Sequence, residues 1–381
     1  MSWPGGSFTE ASRQPDMASI TENRERTAAM NKNWEHRCLD GEWDLFIVEN
    51  EACRDTAAAL TSGDALRQTG CRPIRGKVPG NFELDMQREG LLPDLFTGEN
   101  PLLAQKLENR HLWYVRRFVV EEEPGEGWFF VFEGIDTLAQ IYLNGRQIGE
   151  ADNMLIAHEF SAVGLRRGEN ELTVHIRPAF TQAREECFEA GVTFHQPYNA
   201  ESLTVRKAPH MYGWDIMPRI LSGGLWRSVY LLRKPADRIE DIYLPTIALT
   251  PQRGTLHWYY RIHADHDDIG GYTLKLTGVC GDSVFTAERR LWHTEGRTFI
   301  HMDNPKIWWP RDMGEAHLYE VTAELYYHGE QVDTLNTRTG FRTIRLERSD
   351  TTDENGSGEF CFIVNGEKMF IRGTNWVPMD A

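Results

Sequence analysis

The sequence predicts an all-β protein, two β-sandwiches in tandem followed by a hairpin and one further apolar strand. Three observations carry this. Short apolar or alternating segments, bounded by Gly, Pro, Asn and Asp, recur from Gly41 to Arg348, the texture of strands rather than helices. Two Asn-Gly pairs, Asn144-Gly145 and Asn365-Gly366, stand between such segments, and Asn-Gly supplies the two positive-φ residues of a type I′ hairpin turn. Helical patterning is scarce, with the stretch Thr181 to Ala190 the best single candidate.

Taken in order, residues 1–33 are polar and lack the apolar core of a signal peptide, so they read as a disordered leader. The first sandwich is assigned to 34–234. Its strand signals are "EWDLFIV", "VPGNFELDM", "WYVRRFVV", "GWFFVFEG", the hairpin "TLAQIYLNGRQIGE", "ENELTVHI" and "LWRSVYLL". The polar, proline-bearing "RKPADRIED" is a seam. A second sandwich follows at 235–347, through "IYLPTIAL", "GTLHWYYRIHA", "YTLKLTGV", "RTFIHM", "LYEVTAELYYHG" and "TRTGFRTIRLER". Roughly seven strands in ~110 residues is the size of an immunoglobulin-like domain. The flexible "SDTTDENGSGE" opens the last segment, 348–381, which holds the second Asn-Gly hairpin and the run "MFIRGTNW".

Composition excludes several classes. A net charge of −16 opposes a nucleic-acid partner, which needs clustered Lys and Arg. No apolar run of about 18 residues is present to span a membrane, so the cytoplasm is the expected compartment. The six cysteines include no C-x-x-C pair, so a zinc framework is not indicated and free, mostly buried thiols are expected. "HADHDD" (His263 to Asp268) has no spacing that fixes a metal geometry, and His195 and His210 have no visible nucleophile partner. No glycine-rich nucleotide fingerprint follows a strand. Neither a cofactor nor a metal is called for.

Periodicity reaches no further than this. The motifs "FEGIDTLAQIYLNGRQIGEADNM", "GENELTVHI", "APHMYGWDIMPRILSGGLWRSVYL" and "FCFIVNGEKMFIRGTNWVPMDA" resemble the N-terminal half of glycoside hydrolase family 2, in its β-mannosidase variety. "VPG" at Val78, "WYVRRF" at Trp113 and "WWP" at Trp308 are similar too, all in the family's order. The resemblance implies a jelly-roll sugar-binding domain, an immunoglobulin-like domain, and then a (β/α)8 barrel that does the chemistry, with "MFIRGTNW" as its first strand. Nine residues follow Arg372, whereas a barrel needs about 250. The expectation is therefore a chain without its barrel. The two carboxyl groups of a retaining glycosidase are implied to lie on later barrel strands, so no catalytic residue is assigned. The partners expected are a terminal β-linked sugar, with mannose foremost, and the absent barrel.

Four residues are singled out for substrate binding. Trp214 offers a flat face to the C–H side of a pyranose, and ionised Asp215 can accept from two neighbouring hydroxyls. The resemblance implies that Asp215 reaches into the barrel's sugar pocket. Packing is the competing reading, with Trp214 in a core and Asp215 capping the turn before Pro218. Composition favours packing, while the resemblance reverses that for Asp215 and leaves Trp214 open. Asn375 and Trp376 fall at the carboxyl end of the implied first barrel strand, where such barrels gather their active sites. Packing or fraying of the strand end is the competing reading, favoured for this chain without neighbouring strands; in a complete enzyme the functional reading is favoured. Arg206-Lys207 is a further candidate, to pair with buried acids beneath the Asp215 loop. An alternative from another class is a free-standing lectin-like module of two sandwiches. The terminal hairpin opposes it, since a self-contained module has no use for a leftover apolar strand. Without the barrel, Val364 and Met369-Phe370-Ile371 are expected to form an exposed apolar edge.

Overall fold

A computed structural model describes residues 34–50, 56–189, 200–349 and 358–376. The leader, Cys53, His195 and most of the "SDTTDENGSGE" seam lie outside them. The chain divides into two compact units after Lys234.

The first unit contains β1 (His36–Cys38), β2 (Gly41–Glu49), β3 (Ile74–Val78), β4 (Arg110–Val120), β5 (Trp128–Phe132), β6 (Leu138–Leu143), β7 (Arg146–Ala151), β8 (His158–Ser161), β9 (Gly168–Arg177) and β10 (Val229–Arg233). They form a six-stranded antiparallel sheet, β3-β2-β4-β9-β6-β7, and a four-stranded one, β1-β10-β5-β8. Leu45, Tyr114, Phe130, Phe132, Ile141, Val174 and Leu231 fill the core shared by their inner faces. The six-stranded sheet is also covered on its outer face, where Phe46, Trp113 and Val115 pack with Leu60 and Leu66. That double burial explains why five consecutive β4 residues, 111–115, are buried rather than every second one. Asn144 and Gly145 take φ of 51° and 81° and join β6 to β7 with Leu143 opposite Arg146, as a type I′ turn requires.

Helix is more frequent than the sequence suggests. The expected one runs Ala179–Glu189, but Gly63–Gln68, Phe82–Arg88 and Pro101–Gln105 are helical as well. "VPGNFELDM" is the clearest correction. Phe82, Leu84 and Met86 alternate like a strand, yet Asn81 Oδ1 accepts from Leu84 N at 2.9 Å and starts a helix instead. The helix buries Phe82 together with Glu83 and Asp85 and leaves Leu84 exposed.

In the second unit β11 (Arg238–Tyr243), β12 (Thr246–Leu249), β13 (Arg253–His263) and β16 (Glu295–Asp303) make one sheet. Its partner is β15-β14-β17-β18, built from β14 (Tyr272–Cys280), β15 (Ser283–Arg290), β17 (Tyr319–Tyr327) and β18 (Glu330–Thr339). Along β13 the even positions Leu256, Trp258, Tyr260 and Ile262 are buried and join Leu274, Val321 and Leu325 in a separate core. This is the two-sheet, immunoglobulin-like arrangement expected.

A small third sheet holds β19 (Ile344–Arg348), β20 (Phe360–Val364) and β21 (Glu367–Met369). Asn365 and Gly366, at φ of 51° and 91°, turn β20 into β21. Val364 is 2% exposed and Ile363 is also buried, so the expected open edge is only its last part, with Phe370 85% exposed. Residues 370–376 are in no strand.

The thiols also depart from expectation. Cys38, Cys71, Cys280 and Cys361 are free, but none is buried, and Cys38 on the short β1 is exposed.

Candidate functional site

Trp214 and Asp215 occur in the connection that leads to β10. Pro209–Tyr212 forms a single 3-10 turn ended by Gly213 at φ 93°. Trp214 N then donates to Met217 O at 3.1 Å, and Met217 N donates back to Trp214 O at 2.7 Å. The reciprocal pair closes a tight turn with Asp215 and Ile216 at its tip. Trp214 is 55% exposed and Ile216 71% exposed, whereas Met217 and Tyr212 are buried. Trp214 is therefore not a core residue, which settles that side of the packing alternative. Asp215 is exposed beside it.

The loop is fixed from within. Ile220 N donates to Met211 O at 3.0 Å across it. Arg219 holds Glu108 with two parallel bonds, Nε to Oε1 at 2.7 Å and Nη2 to Oε2 at 2.8 Å, the bidentate geometry that makes such pairs strong. Its guanidinium also stacks over Tyr212 and Phe180, and the hydrogen bond to Glu108 raises its pKa. Burial pushes the Tyr212 phenol up.

Beneath the loop lies a buried polar cluster. Lys207 Nζ donates to Asp136 Oδ1 at 2.6 Å, to Asp136 Oδ2 and to Ser222 O, and all three residues are buried. Thr137 Oγ1 donates to Asp136 Oδ1. Ser222 Oγ in turn donates to Glu83 Oε2 at 2.8 Å. Burial pushes the Glu83 carboxyl up to about 7, against the opposing pull of Ser222 and Lys207. At the loop's exit Gly224 has φ 152°. A Cβ there would stand 2.8 Å from Gly80 O and 2.9 Å from Tyr114 Oη, so only glycine fits. Of the pair Arg206-Lys207, then, Lys207 meets one buried acid, Asp136, and Arg206 is exposed.

Asn375 and Trp376 are both exposed, Trp376 at 80%. In the "HADHDD" loop Asp237 accepts from Asp265 N at 2.8 Å and from Tyr272 Oη, and His266 stacks on Tyr327 at 4.2 Å. Among the described residues no three His, Cys, Asp or Glu side chains are placed to hold a metal. A cavity of about 430 Å³ in the second unit is lined by Tyr243, Trp308, Arg338, Arg342 and Ile344. Of the residues singled out by sequence it includes only Trp308.

Sequence reasoning missed a stack of His111, His175 and Trp113 on the outer face of the six-stranded sheet. His175 and Trp113 rings are 4.1 Å apart and nearly parallel, and His111 Nδ1 meets His175 Nε2 at 2.8 Å. His111 Nε2 faces Asn50 Oδ1 at 3.0 Å. One neutral arrangement satisfies both contacts, with His175 Nε2–H donating to His111 and His111 Nε2–H donating to Asn50. Burial holds His111 down at about 4 and His175 at about 3. Nothing in the sequence pairs positions 111 and 175; only the β4–β9 register brings them close.

Comparison with known proteins matches this architecture domain by domain. Residues 61–227 match the "Glycosyl hydrolase 2 galactose-binding domain-like" family, and residues 238–342 match "Glycosyl hydrolases family 2". β-Mannosidase B of Thermothelomyces thermophilus is 29% identical over 318 residues, as is that of Emericella nidulans over 315. In each case 80% of this chain is covered but only 36% of the relative. The chain thus spans about a third of the length of these curated relatives. Among solved structures, β-D-mannosidase from Dictyoglomus thermophilum superposes with a TM-score of 0.74 at 30% identity, over 91% of this chain and 40% of the other. β-Glucuronidase from Ruminococcus gnavus, at 16% identity and a TM-score of 0.61 over 92% of this chain and 51% of its own, shares the fold. With the galactose-binding-like domain and the domain that follows it both present and in order, the chain belongs to glycosyl hydrolase family 2.

Proposed function

We propose that this chain is the accessory, sugar-binding region of an exo-acting β-glycosidase of the β-mannosidase type. The observation that carries the reading is the Trp214–Asp215 turn, which is exposed at its tip and anchored at its base. An exposed indole and an exposed carboxylate side by side suit a sugar, which has an apolar C–H face and pairs of hydroxyl donors. Mannose is the proposed sugar because the relatives at 29–30% identity are β-mannosidases, whereas the β-glucuronidase stands at 16%.

The division of labour follows from chemistry. Retaining hydrolysis needs two carboxyl groups about 5–5.5 Å apart. The proposed source of that pair is a (β/α)8 barrel in the complete enzyme, with Asn375 and Trp376 at the end of its first strand. Residues 34–234 are proposed as the sugar-binding jelly roll, 235–347 as the immunoglobulin-like spacer and 348–381 as the lead into the barrel.

The test is an assay of the purified chain on a chromogenic β-mannoside. No turnover above an empty-vector control is expected, and genuine turnover would sink the reading. Calorimetric titration with mannose and manno-oligosaccharides adds a second arm. Millimolar or undetectable binding fits one wall of a pocket, while micromolar affinity points to a self-sufficient lectin.

A further inference from the structure

We propose that Lys207 is the positioning residue of the Trp214–Asp215 turn, a single buried ammonium that fastens both ends of the 208–221 loop to the β5–β6 connection. Lys207 enters the loop and Ser222 leaves it. The Lys207 ammonium has three hydrogens and meets three acceptors, both oxygens of Asp136 and the carbonyl of Ser222. One group therefore closes the base of a fourteen-residue excursion. The acceptor is itself immobilised, because Asp136 N donates to Gly224 O at 2.9 Å and Gly224 N returns a bond to Asp136 O at 3.2 Å. Ser222 is held from the other side through its hydroxyl on Glu83. A neutral side chain at 207 would leave Ser222 O without that donor and Asp136 as a buried carboxylate without its cation.

An ordinary buried ion pair would only compensate charge. One feature goes further. The ammonium bonds a backbone carbonyl across the loop mouth, below the Trp214–Met217 and Met211–Ile220 bonds and the Arg219–Glu108 pair that shape the rest of the loop. The loop's part in sugar contact rests on the role proposed for Asp215, but the clamp does not.

Hydrogen exchange on the full chain, without sugar, separates clamp from charge compensation. Two variants are compared, Lys207→Met and the double variant Lys207→Met/Asp136→Leu, which buries no charge. The probes are the amides of Gly213, Met217 and Ile220, and the β4–β9 ladder is the internal reference. At least tenfold faster exchange at the three loop amides, with the ladder unchanged, is expected in both. Should Lys207→Met fail to fold, the double variant decides alone. Loop amides that exchange at wild-type rates in the double variant would overturn the proposal. Asp215→Ala, measured alongside, should leave loop exchange unaltered. Its effect on sugar affinity then tests the sugar reading independently.

Discussion

Glu83 and the His111–His175 pair pull stability in opposite directions with pH. Burial raises the Glu83 carboxyl from 4.5 to about 7, so the folded state binds its proton more tightly than the unfolded chain. Its contribution is fully present below pH 4.5 and is lost as pH rises to about 7, on the order of 3 kcal/mol. The two imidazoles are depressed from 6.5 to about 4 and about 3. Their contribution is present above pH 6.5 and falls away as the solution is acidified. Glu83→Gln removes only the first effect. Urea denaturation should show the variant gaining on the wild type by about 3 kcal/mol between pH 4.5 and pH 8. An equal difference at both pH values would mean that Glu83 is not held protonated.

Short elements were the least legible. Ser62 and Asn81 are both helix caps, with Ser62 Oγ accepting from Ala65 N at 3.2 Å and Asn81 Oδ1 from Leu84 N. Their residue types are visible in the sequence, and at Asn81 the strand-like alternation of Phe82, Leu84 and Met86 points the other way. What that alternation hid is the inversion of Glu83 and Asp85 into the interior, where Asp85 accepts from Lys77 N at 3.0 Å and from Arg88. Asn81→Ala should cost about 1 kcal/mol in chemical denaturation, and a neutral result would show that tertiary packing alone holds this helix. At the C-terminal end the hairpin is better integrated than its sequence suggested. Asn365 donates to Trp308 O at 2.9 Å and accepts from Thr343 N at 2.8 Å. Ending the chain after Met369 should therefore reduce self-association in light scattering and leave the melting temperature unchanged. A cut before Phe360, which removes Ile363 and Val364 from buried positions, should lower the melting temperature.

For the molecule as a whole, architecture was legible because it rests on signals local in sequence, namely strand texture, two Asn-Gly turns and the proline-bearing seam. Family membership was legible because several motifs keep their order along the chain. The turn with Trp214 and Asp215 was found that way, and the sequence also names Lys207 as a partner for buried acids beneath it, but which groups it meets was not legible. Glu83, Asp136, Lys207 and Ser222 come from four separate segments, and only folding brings them together. Each unit has its own apolar core, so residues 35–234 expressed alone should fold and melt cooperatively. A non-cooperative melt with exposed apolar surface would show instead that the two units depend on one another.

The half-open setting of Trp214 has an optical consequence. Trp43, Trp113 and Trp258 are sealed from solvent, so a quencher dissolved in the buffer reaches Trp214 far more readily than it reaches them. Subtracting the emission of Trp214→Phe isolates that one indole from the other accessible ones. A carbohydrate laid against it should shield it from iodide and shift its emission to the blue, giving a label-free gauge of occupancy that requires no turnover.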